Sequence, residues 1–226
     1  MRRIIGSLFV SVDGVIQAPG GPTEDWTGGF DHGGWLADLF DESSGAAIDR
    51  LFAGSFDLLL GRRTYDIFAA YWPFVEGNGK PMGAMFDRVA KYVVTHRDDD
   101  LDWVNSHRLA TLDALAELKR KDGPDLIIQG SGTLYPQLLA AGLIDRLTLM
   151  TFPVVLGRGK RWFGDDSPPG KLRMVEHSVS PTGTIIASYE PDGDIQEGSV
   201  APPSTSQREQ ARQERMTREE NARLSS

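Results

Sequence analysis

The stretch LIIQGSGTLY, residues 126–135, decides the fold, because it joins an apolar run to a glycine turn and then to a helix-forming run. Its first residues predict a buried strand, and the turn Gly130-Ser131-Gly132 marks the end of that strand. The stretch DLLLGRRTY at 57–65 has the same arrangement. Apolar strands that alternate with helices predict a mostly parallel sheet with right-handed crossovers.

The same alternation extends along most of the chain. Apolar runs predict strands over residues 4–12, 57–60, 91–95, 126–129 and 146–152. Helices are predicted over 44–53, 64–70, 113–121 and 133–141. Residues 173–180 and 184–190 flank a Pro-Thr-Gly turn and predict a hairpin that adds an antiparallel edge. The expected fold is an α/β domain: a mostly parallel central sheet with an antiparallel C-terminal hairpin and helices on both faces.

The composition excludes several classes of protein. The 226 residues include no Cys, which rules out a disulfide scaffold, a thiol nucleophile and a cysteine-ligated metal site. No two of the four His have the spacing of a helical metal pair, so we predict no metal site. The net charge of −8 argues against nucleic-acid binding. No apolar run reaches the roughly 18 residues of a membrane span, and we expect a cytoplasmic protein without a membrane partner.

The composition changes sharply near Pro191. Residues 194–226 contain five Arg, six acidic residues and only four large apolar side chains, so they cannot bury enough apolar surface to offset the entropy of ordering. We therefore expect one domain over 1–191 and a polar tail over 192–226 that is disordered or transiently helical. A helix that binds a partner is the alternative, because Arg and Glu in the tail recur at i,i+4 spacing.

Three predicted strand ends carry groups suited to phosphate. Ligands of open α/β sheets bind beyond the carboxyl ends of the strands, where helix N-termini and glycine turns present backbone N–H groups. The three groups of residues are Gly61, Arg62, Arg63 and Thr64; Thr95, His96 and Arg97; and Gly130, Ser131, Gly132 and Thr133. Each group alone also fits an ordinary turn or helix cap. Together they predict one ligand with a pyrophosphate and a further phosphate, and the arginines favour NADP over NAD.

Five stretches of the sequence carry a family resemblance. They are SVDGVI at 11–16, LGRRTY at 60–65, YVVT at 92–95, IQGSGTLY at 128–135 and FPVVLG at 152–157. On these stretches, residues 2–191 resemble the dihydrofolate reductase-like superfamily, specifically the RibD C-terminal group of riboflavin-biosynthesis reductases. The resemblance implies a dihydrofolate-reductase-like domain, a homodimer and an NADPH-dependent reductase of a small pteridine-like or ribosylaminopyrimidine-like molecule.

The resemblance also implies roles for particular residues. In such enzymes the segment at 61–64 binds cofactor phosphates, the segment at 95–97 holds the adenosine 2′-phosphate, and the turn from Gly130 to Leu134 lies under the pyrophosphate. Tyr135 matches an aromatic residue near the nicotinamide, and residues 13–16 match the loop that covers it.

The sequence departs from the family pattern at the substrate. Gln129 stands where riboflavin reductases commonly carry Glu, near their substrate. The acids on the first helix of this chain (Asp41, Glu42 and Asp49) do not lie in the Pro-x-Asp context that holds the pterin in folate reductases. Without Cys, the zinc deaminase of the bifunctional riboflavin enzymes is excluded as well.

The residues leave the catalytic groups open. Asp13 is the candidate for the catalytic acid and, with Gln129 and Trp72, for a substrate contact; a tight Asp-Gly turn is the equal alternative for Asp13. Trp72, together with Trp26, Trp35 and Tyr71, fits a substrate pocket, a dimer contact or the core. A non-catalytic nucleotide-binding or scaffold protein with the same fold is the alternative function.

Overall fold

The computed structural model describes residues 1–164, 167–201, 203–204 and 206–225. They fall into two units, Met1–Asp194 and Ile195–Ser226. The strands are β1 (Ile4–Ser11), β2 (Phe56–Gly61), β3 (Lys91–Val94), β4 (Ser106–Leu109), β5 (Asp125–Gln129), β6 (Arg146–Phe152), β7 (Leu172–Val179) and β8 (Ile185–Pro191). The helices are α1 (Glu42–Leu51), α2 (Arg62–Tyr71), α3 (Lys80–Arg88), α4 (Leu112–Arg120), α5 (Tyr135–Ala140) and α6 (Gln207–Leu224).

The first unit is built on one sheet with the strand order β4-β3-β2-β5-β1-β6-β8-β7. The first six strands of that order run parallel, whereas β8 pairs antiparallel with both β6 and β7. The predicted fold class, a mostly parallel α/β sheet closed by an antiparallel hairpin, is therefore confirmed. The order also places β3, β2 and β5 side by side, so their carboxyl ends lie next to one another.

Each face of the sheet has its own core. Because side chains alternate across a strand, Leu58 and Leu60 point to the face that α1, α2 and α3 cover, and Leu59 points to the other. The second face packs against α4 and α5 through Leu115 and Leu138. Strand β2 is buried at all six of its positions, as expected of a central parallel strand.

Some boundaries and elements differ from the prediction. The single helix predicted over 133–141 is a short 3₁₀ turn, Gly132–Leu134, followed by α5, which has Pro136 in its first turn. Helix α3 and strand β4 were not predicted. The sequence of α3 contains Pro81 and Gly83, and the helix depends on packing, since Gly83 lies against the carbonyl oxygen of Trp72. Strand β4 is polar and lies at the edge of the sheet, so it has no apolar run.

The second unit contains α6, an 18-residue helix with no buried residue among those described. Ser206 caps its N-terminus by accepting a hydrogen bond from the backbone N–H of Glu209, and Arg212 pairs with Glu209 one turn earlier. Local pairs of this kind stabilise a solvated helix, so the structure has a helix where we expected disorder or transient helicity. Within the described parts of the chain, no helix combines the length and apolar character needed to span a bilayer.

One close contact fixes the position of α5 on the sheet. Gly6 in the middle of β1 lies under the ring of Tyr135, and a Cβ atom at Gly6 would lie 2.4 Å from Tyr135 Cε1. The ring is fully buried, and its hydroxyl donates to the carbonyl oxygens of Ser7 and Ile128. Because packing fixes the ring and hydrogen bonds fix its hydroxyl group, Tyr135 cannot shift to make room for a larger residue at position 6.

We predict that Gly6→Ala lowers the free energy of unfolding by about 1–3 kcal/mol, because the added methyl group overpacks a filled core. Urea unfolding of the full chain measures the change. Gly45→Ala is the matched control: Gly45 lies inside α1, where an added Cβ atom meets only Phe40 Cε1 at 3.8 Å. Alanine should stabilise that helix by up to about 1 kcal/mol. Equal effects of the two substitutions would contradict the role assigned to the Gly6–Tyr135 contact.

Candidate functional site

Two of the three predicted strand ends are joined by a pair of hydrogen bonds. The backbone N–H of Gly61, at the end of β2, donates to Ser131 Oγ at 3.0 Å. The backbone N–H of Ser131, just beyond β5, donates to Thr64 Oγ1 at 3.0 Å. The side chain of each segment thus binds the backbone of the other, and we name this pair of bonds the Ser131–Thr64 latch.

The latch holds two sets of backbone N–H groups near each other. Helix α2 begins at Arg62 after Gly61, which provides no side-chain cap, so the first N–H groups of this helix have no local acceptor. Ser131 has a left-handed conformation (φ 53°, ψ 41°) and is followed by the 3₁₀ turn Gly132–Leu134. A left-handed residue followed by right-handed ones turns successive N–H groups toward one concave side. Both features suit an anionic ligand.

The third strand end carries arginine into the same region. Thr95 follows β3, and its hydroxyl oxygen accepts a hydrogen bond from the backbone N–H of Arg97 at 3.1 Å. Arg62 and Arg97 both contact Asp66 and Asp99: Arg62 Nη2 lies 2.7 Å from Asp99 Oδ2, and Arg97 Nη2 lies 2.7 Å from the same oxygen. We call these four side chains the Arg62–Asp99 cluster. The carboxylates raise the pKa of Arg62, although burial alone would lower it.

An open cavity of about 510 Å³ lies beside this cluster, between α2 and residues 100–104. Its lining includes the charged residues Arg62, Asp66, Asp100 and Asp102 and apolar residues such as Pro73 and Trp103.

Arg63 contacts a different part of the molecule. It pairs with Asp25 at 3.2 Å, in the long loop between β1 and α1. Asp25 is buried and also binds Lys160 Nζ at 2.6 Å. Burial alone would raise the pKa of Asp25, but hydrogen bonds from Lys160 and Thr27 lower it. This carboxylate therefore ties together the β1–α1 loop, α2 and the loop that follows β6.

The segment 13–16, which the family resemblance places over the nicotinamide, contacts the glycine turn through Ile16. A Cβ atom at Gly132 would lie 1.8 Å from Ile16 Cδ1, so the Ile16 side chain packs directly on the turn. Asp13 does not face an open site. Its carboxylate accepts hydrogen bonds from the backbone N–H groups of Leu156 and Gly157 and from Ser11 Oγ. Burial alone would raise the pKa of Asp13, but these bonds lower it to about 2.

The structure assigns other roles to three of the predicted site residues. Tyr135 is wholly buried beneath β1, because the 3₁₀ turn before α5 directs its side chain toward the core. Its hydroxyl binds backbone carbonyls, and burial raises its pKa far above the usual range. Trp72 packs against Phe86 at a ring distance of 5.1 Å and belongs to the core beneath α2 and α3. Asp13, with a pKa of about 2, is ionised at neutral pH and holds no proton to donate.

The remaining predicted residues keep their positions at the strand ends. His96 and Arg97 are exposed, and Thr95 is buried. Gln129 is partly buried, and its Oε1 atom is buried without a hydrogen-bond partner among the described residues. Ser7, its register partner on β1, also has a buried and unpartnered hydroxyl oxygen.

Several site residues were missed by sequence reasoning. Asp66 lies four residues after Arg62, a spacing that by itself indicates an ion pair on α2. Asp99 belongs to the acidic run 98–100 that follows Arg97, so the sequence indicates that Asp99 lies near Arg97. It does not indicate the ion pair of Asp99 with Arg62. Lys160 belongs to the basic run RGKR at 158–161, and its pairing with Asp25 spans the chain. Nothing in the local sequence indicates that last contact.

Fold and site together define an α/β domain of the dihydrofolate reductase-like class. Within that class the chain belongs to the RibD C-terminal domain family, whose sequence pattern matches residues 2–186. The uncharacterized protein YyaP of Bacillus subtilis (strain 168) is 28% identical to it, in an alignment that covers 85% of this chain and 96% of YyaP. The uncharacterized protein YwjB of the same organism is 25% identical, and the alignment covers 76% of this chain and 89% of YwjB. Membership of this family indicates a reductase.

Solved structures support the same fold. A riboflavin biosynthesis protein from Shewanella sp. PV-4 matches with a TM-score of 0.61 and 18% identity, over 84% of this chain and 99% of its own. A pyrimidine reductase-like protein from Corynebacterium diphtheriae gives a TM-score of 0.58 and 15% identity, over 85% and 93%. Dihydrofolate reductase from Enterococcus faecalis, in complex with NADP(H), gives a TM-score of 0.51 and 14% identity, over 84% of this chain and 96% of its own.

The pKa of Asp13 predicts how stability depends on pH. The folded-state pKa is lowered from 3.8 to about 2, so ionised Asp13 stabilises the fold above about pH 4, and this contribution is lost as the pH falls toward 2. We expect Asp13→Asn to destabilise the protein by up to about 2 kcal/mol at pH 7 and by much less near pH 2. Urea unfolding at several pH values measures the difference between the two proteins. A difference that is constant with pH would contradict the assigned hydrogen bonds.

Proposed function

We propose that the protein is an NADPH-dependent reductase that transfers a hydride to a small heterocyclic substrate of the pteridine or ribosylaminopyrimidine kind. The observation that carries this proposal is the convergence of three strand ends, two of them joined by the Ser131–Thr64 latch. A fold of this class supports several activities, so the argument rests on the chemistry of these strand ends.

The residues present fit the pyrophosphate of a dinucleotide. The uncapped N-terminus of α2 and the turn after Gly130 offer backbone N–H groups and the positive end of a helix dipole. Gly61 and Gly130 have no side chain that would keep a phosphate at a distance. When bound, the cofactor supplies the hydride; this chain's part is to bind it, orient it and exclude water.

The opposite end of the dinucleotide would reach the Arg62–Asp99 cluster. Guanidinium groups bind phosphate with two parallel hydrogen bonds, which suits Arg62 and Arg97 to the 2′-phosphate of NADPH. The cavity of about 510 Å³ beside them is lined partly by apolar side chains such as Pro73 and Trp103, which suit a nucleobase. Arg63 would contribute less, because Asp25 and Thr27 already accept hydrogen bonds from its guanidinium.

The substrate would lie against Gln129 and Ser7. Both residues carry a buried polar atom that lacks a hydrogen-bond partner in the described structure, and they are paired in register on β5 and β1. An unpaired buried oxygen costs free energy that a bound ligand can recover. Gln129 Oε1 accepts only, so it suits a ring N–H or exocyclic amino group, both of which pteridines and aminopyrimidines carry.

Binding without turnover is the second candidate function, and the ionised state of Asp13 favours it. Reduction of a C=N or C=O bond needs a proton as well as a hydride, and the lowered pKa of Asp13 makes its carboxyl group a poor source of that proton. Oxidation of NADPH in the presence of a panel of pteridines and aminopyrimidines distinguishes the two functions. Tight NADPH binding with no oxidation across that panel would support the binding protein.

We predict that Arg62→Ala weakens NADPH binding by about tenfold or more and changes NADH binding much less, because only NADPH carries the 2′-phosphate. Isothermal titration with each dinucleotide measures both affinities. Arg120→Ala is the matched control, since Arg120 is exposed on α4, on the other face of the sheet. Equal losses for NADPH and NADH, or no binding of either by the unmodified protein, would count against the proposed cofactor.

We also propose that the protein is a homodimer that pairs through the outer face of the β7–β8 hairpin. Val179 and Ile185 are register partners there and are 67% and 49% exposed, and Met174 on the same hairpin is 51% exposed. Apolar side chains grouped on one exposed strand pair are typical of an interface between chains.

The proposed dimer predicts that the double substitution Val179→Glu and Ile185→Glu gives a monomer, since two carboxylates cannot be buried without partners. Sedimentation equilibrium of the full chain measures the mass. Val104→Glu is the control, because Val104 is 55% exposed but lies away from the hairpin in sequence and sheet position. A monomeric unmodified protein, or a double variant that still dimerises, would refute the interface.

A further inference from the structure

Asp99 occupies the donors that a 2′-phosphate would need. Arg97 donates from Nε and Nη2 to the two carboxylate oxygens of Asp99, at 3.0 and 2.7 Å. Arg62 Nη2 lies 2.7 Å from one of the same oxygens. Both arginines thus hold an anion that belongs to the chain itself, in the way that guanidinium groups hold a phosphate.

The backbone of Asp99 is held as well as its side chain. Its carbonyl oxygen accepts a hydrogen bond from Arg108 Nη2 at 2.8 Å, from strand β4, and a longer one from Arg62 Nη1 at 3.5 Å. Arg62 is only 16% exposed, so its guanidinium has a restricted set of positions. The backbone of Asp99 is therefore held beside the arginines, whereas its side chain is 42% exposed.

Charge counting shows the consequence for ligands. The charges of the two arginines and the two carboxylates of the Arg62–Asp99 cluster sum to zero. The second carboxylate, that of Asp66, accepts a hydrogen bond from Arg62 Nε at 2.8 Å. A phosphate dianion added to this cluster would lie beside two carboxylates and would share donors already in use. It can bind the arginines fully only when Asp99 moves out. A ribose hydroxyl carries no charge, and a carboxylate is a good acceptor for it.

We propose that Asp99 is a specificity-determining residue, an internal anion that competes with the 2′-phosphate of the dinucleotide and narrows the preference for NADPH over NADH. This inference rests on the proposed function, because it concerns the cofactor of that same site. Under this inference Asp99 weakens the binding of NADPH, whereas Arg62 and Arg97 of the same cluster strengthen it.

The test is the affinity of Asp99→Asn for both dinucleotides, measured by isothermal titration. We expect the Kd for NADPH to fall by about three- to tenfold, and the Kd for NADH to stay constant or rise. Asp98→Asn is the matched control, because it removes the same charge from a neighbouring residue that has no ion pair in the part of the chain that the structure describes and that does not line the cavity. This control should change NADPH binding by less than about twofold.

The outcomes separate this inference from the proposed function. Tighter NADPH binding by Asp99→Asn, but not by Asp98→Asn, supports the competition. The same gain in both variants shows a general effect of net charge and overturns it, as does an unchanged Kd for NADPH in Asp99→Asn. If neither the unmodified protein nor Asp99→Asn binds either dinucleotide, the proposed function fails and this inference fails with it.

Discussion

The site depends on the Ser131–Thr64 latch, since it joins the ends of β2 and β5 into one surface. Parallel pairing alone sets the strands side by side, with Leu58 opposite Ile127, but it does not position the residues beyond their ends. The latch does so at a local cost. Ser131 is held in a left-handed conformation, which costs a non-glycine residue about 1–2 kcal/mol. Its two hydrogen bonds, a buried one with Gly61 and a partly buried one with Thr64, offset that cost.

The sequence was sufficient for the elements that are apolar and central. Strands β1, β2, β5 and β6 are rich in apolar residues because both faces of the sheet are covered, and glycine or proline follows or closes most of them. It was not sufficient for β4 or α3, which owe their structure to neighbours. Strand β4 has three polar residues and only one apolar residue, Leu109, and it forms only because β3 offers an open edge. Helix α3 gains its stability from Phe86, which packs among aromatic rings of α1 and α2.

At the site, the sequence identified which segments meet but not which way their side chains point. Tyr135 follows the glycine turn, and a motif places it near a ligand; the 3₁₀ turn rotates it into the core instead. Asp13 has the right residue type and position for catalysis, yet backbone N–H groups more than 140 residues away take its carboxylate. The direction of a side chain and its long-range partners depend on tertiary packing, which the local sequence does not predict.

The two ends of the site are built from different kinds of interaction, and this difference bears on how a dinucleotide would be held. The end near the glycine turn is backbone, fixed by the latch and by Ile16 packed on Gly132. Buried hydrogen bonds there are insensitive to salt. The other end is the Arg62–Asp99 cluster, half-exposed and made of ion pairs that each contribute little. A rigid backbone end provides tight phosphate binding, whereas an end made of exchangeable ion pairs can admit or reject one charged group at small cost in stability. If the protein binds a dinucleotide as proposed, its choice of cofactor would change through Asp99 without disturbing the fold.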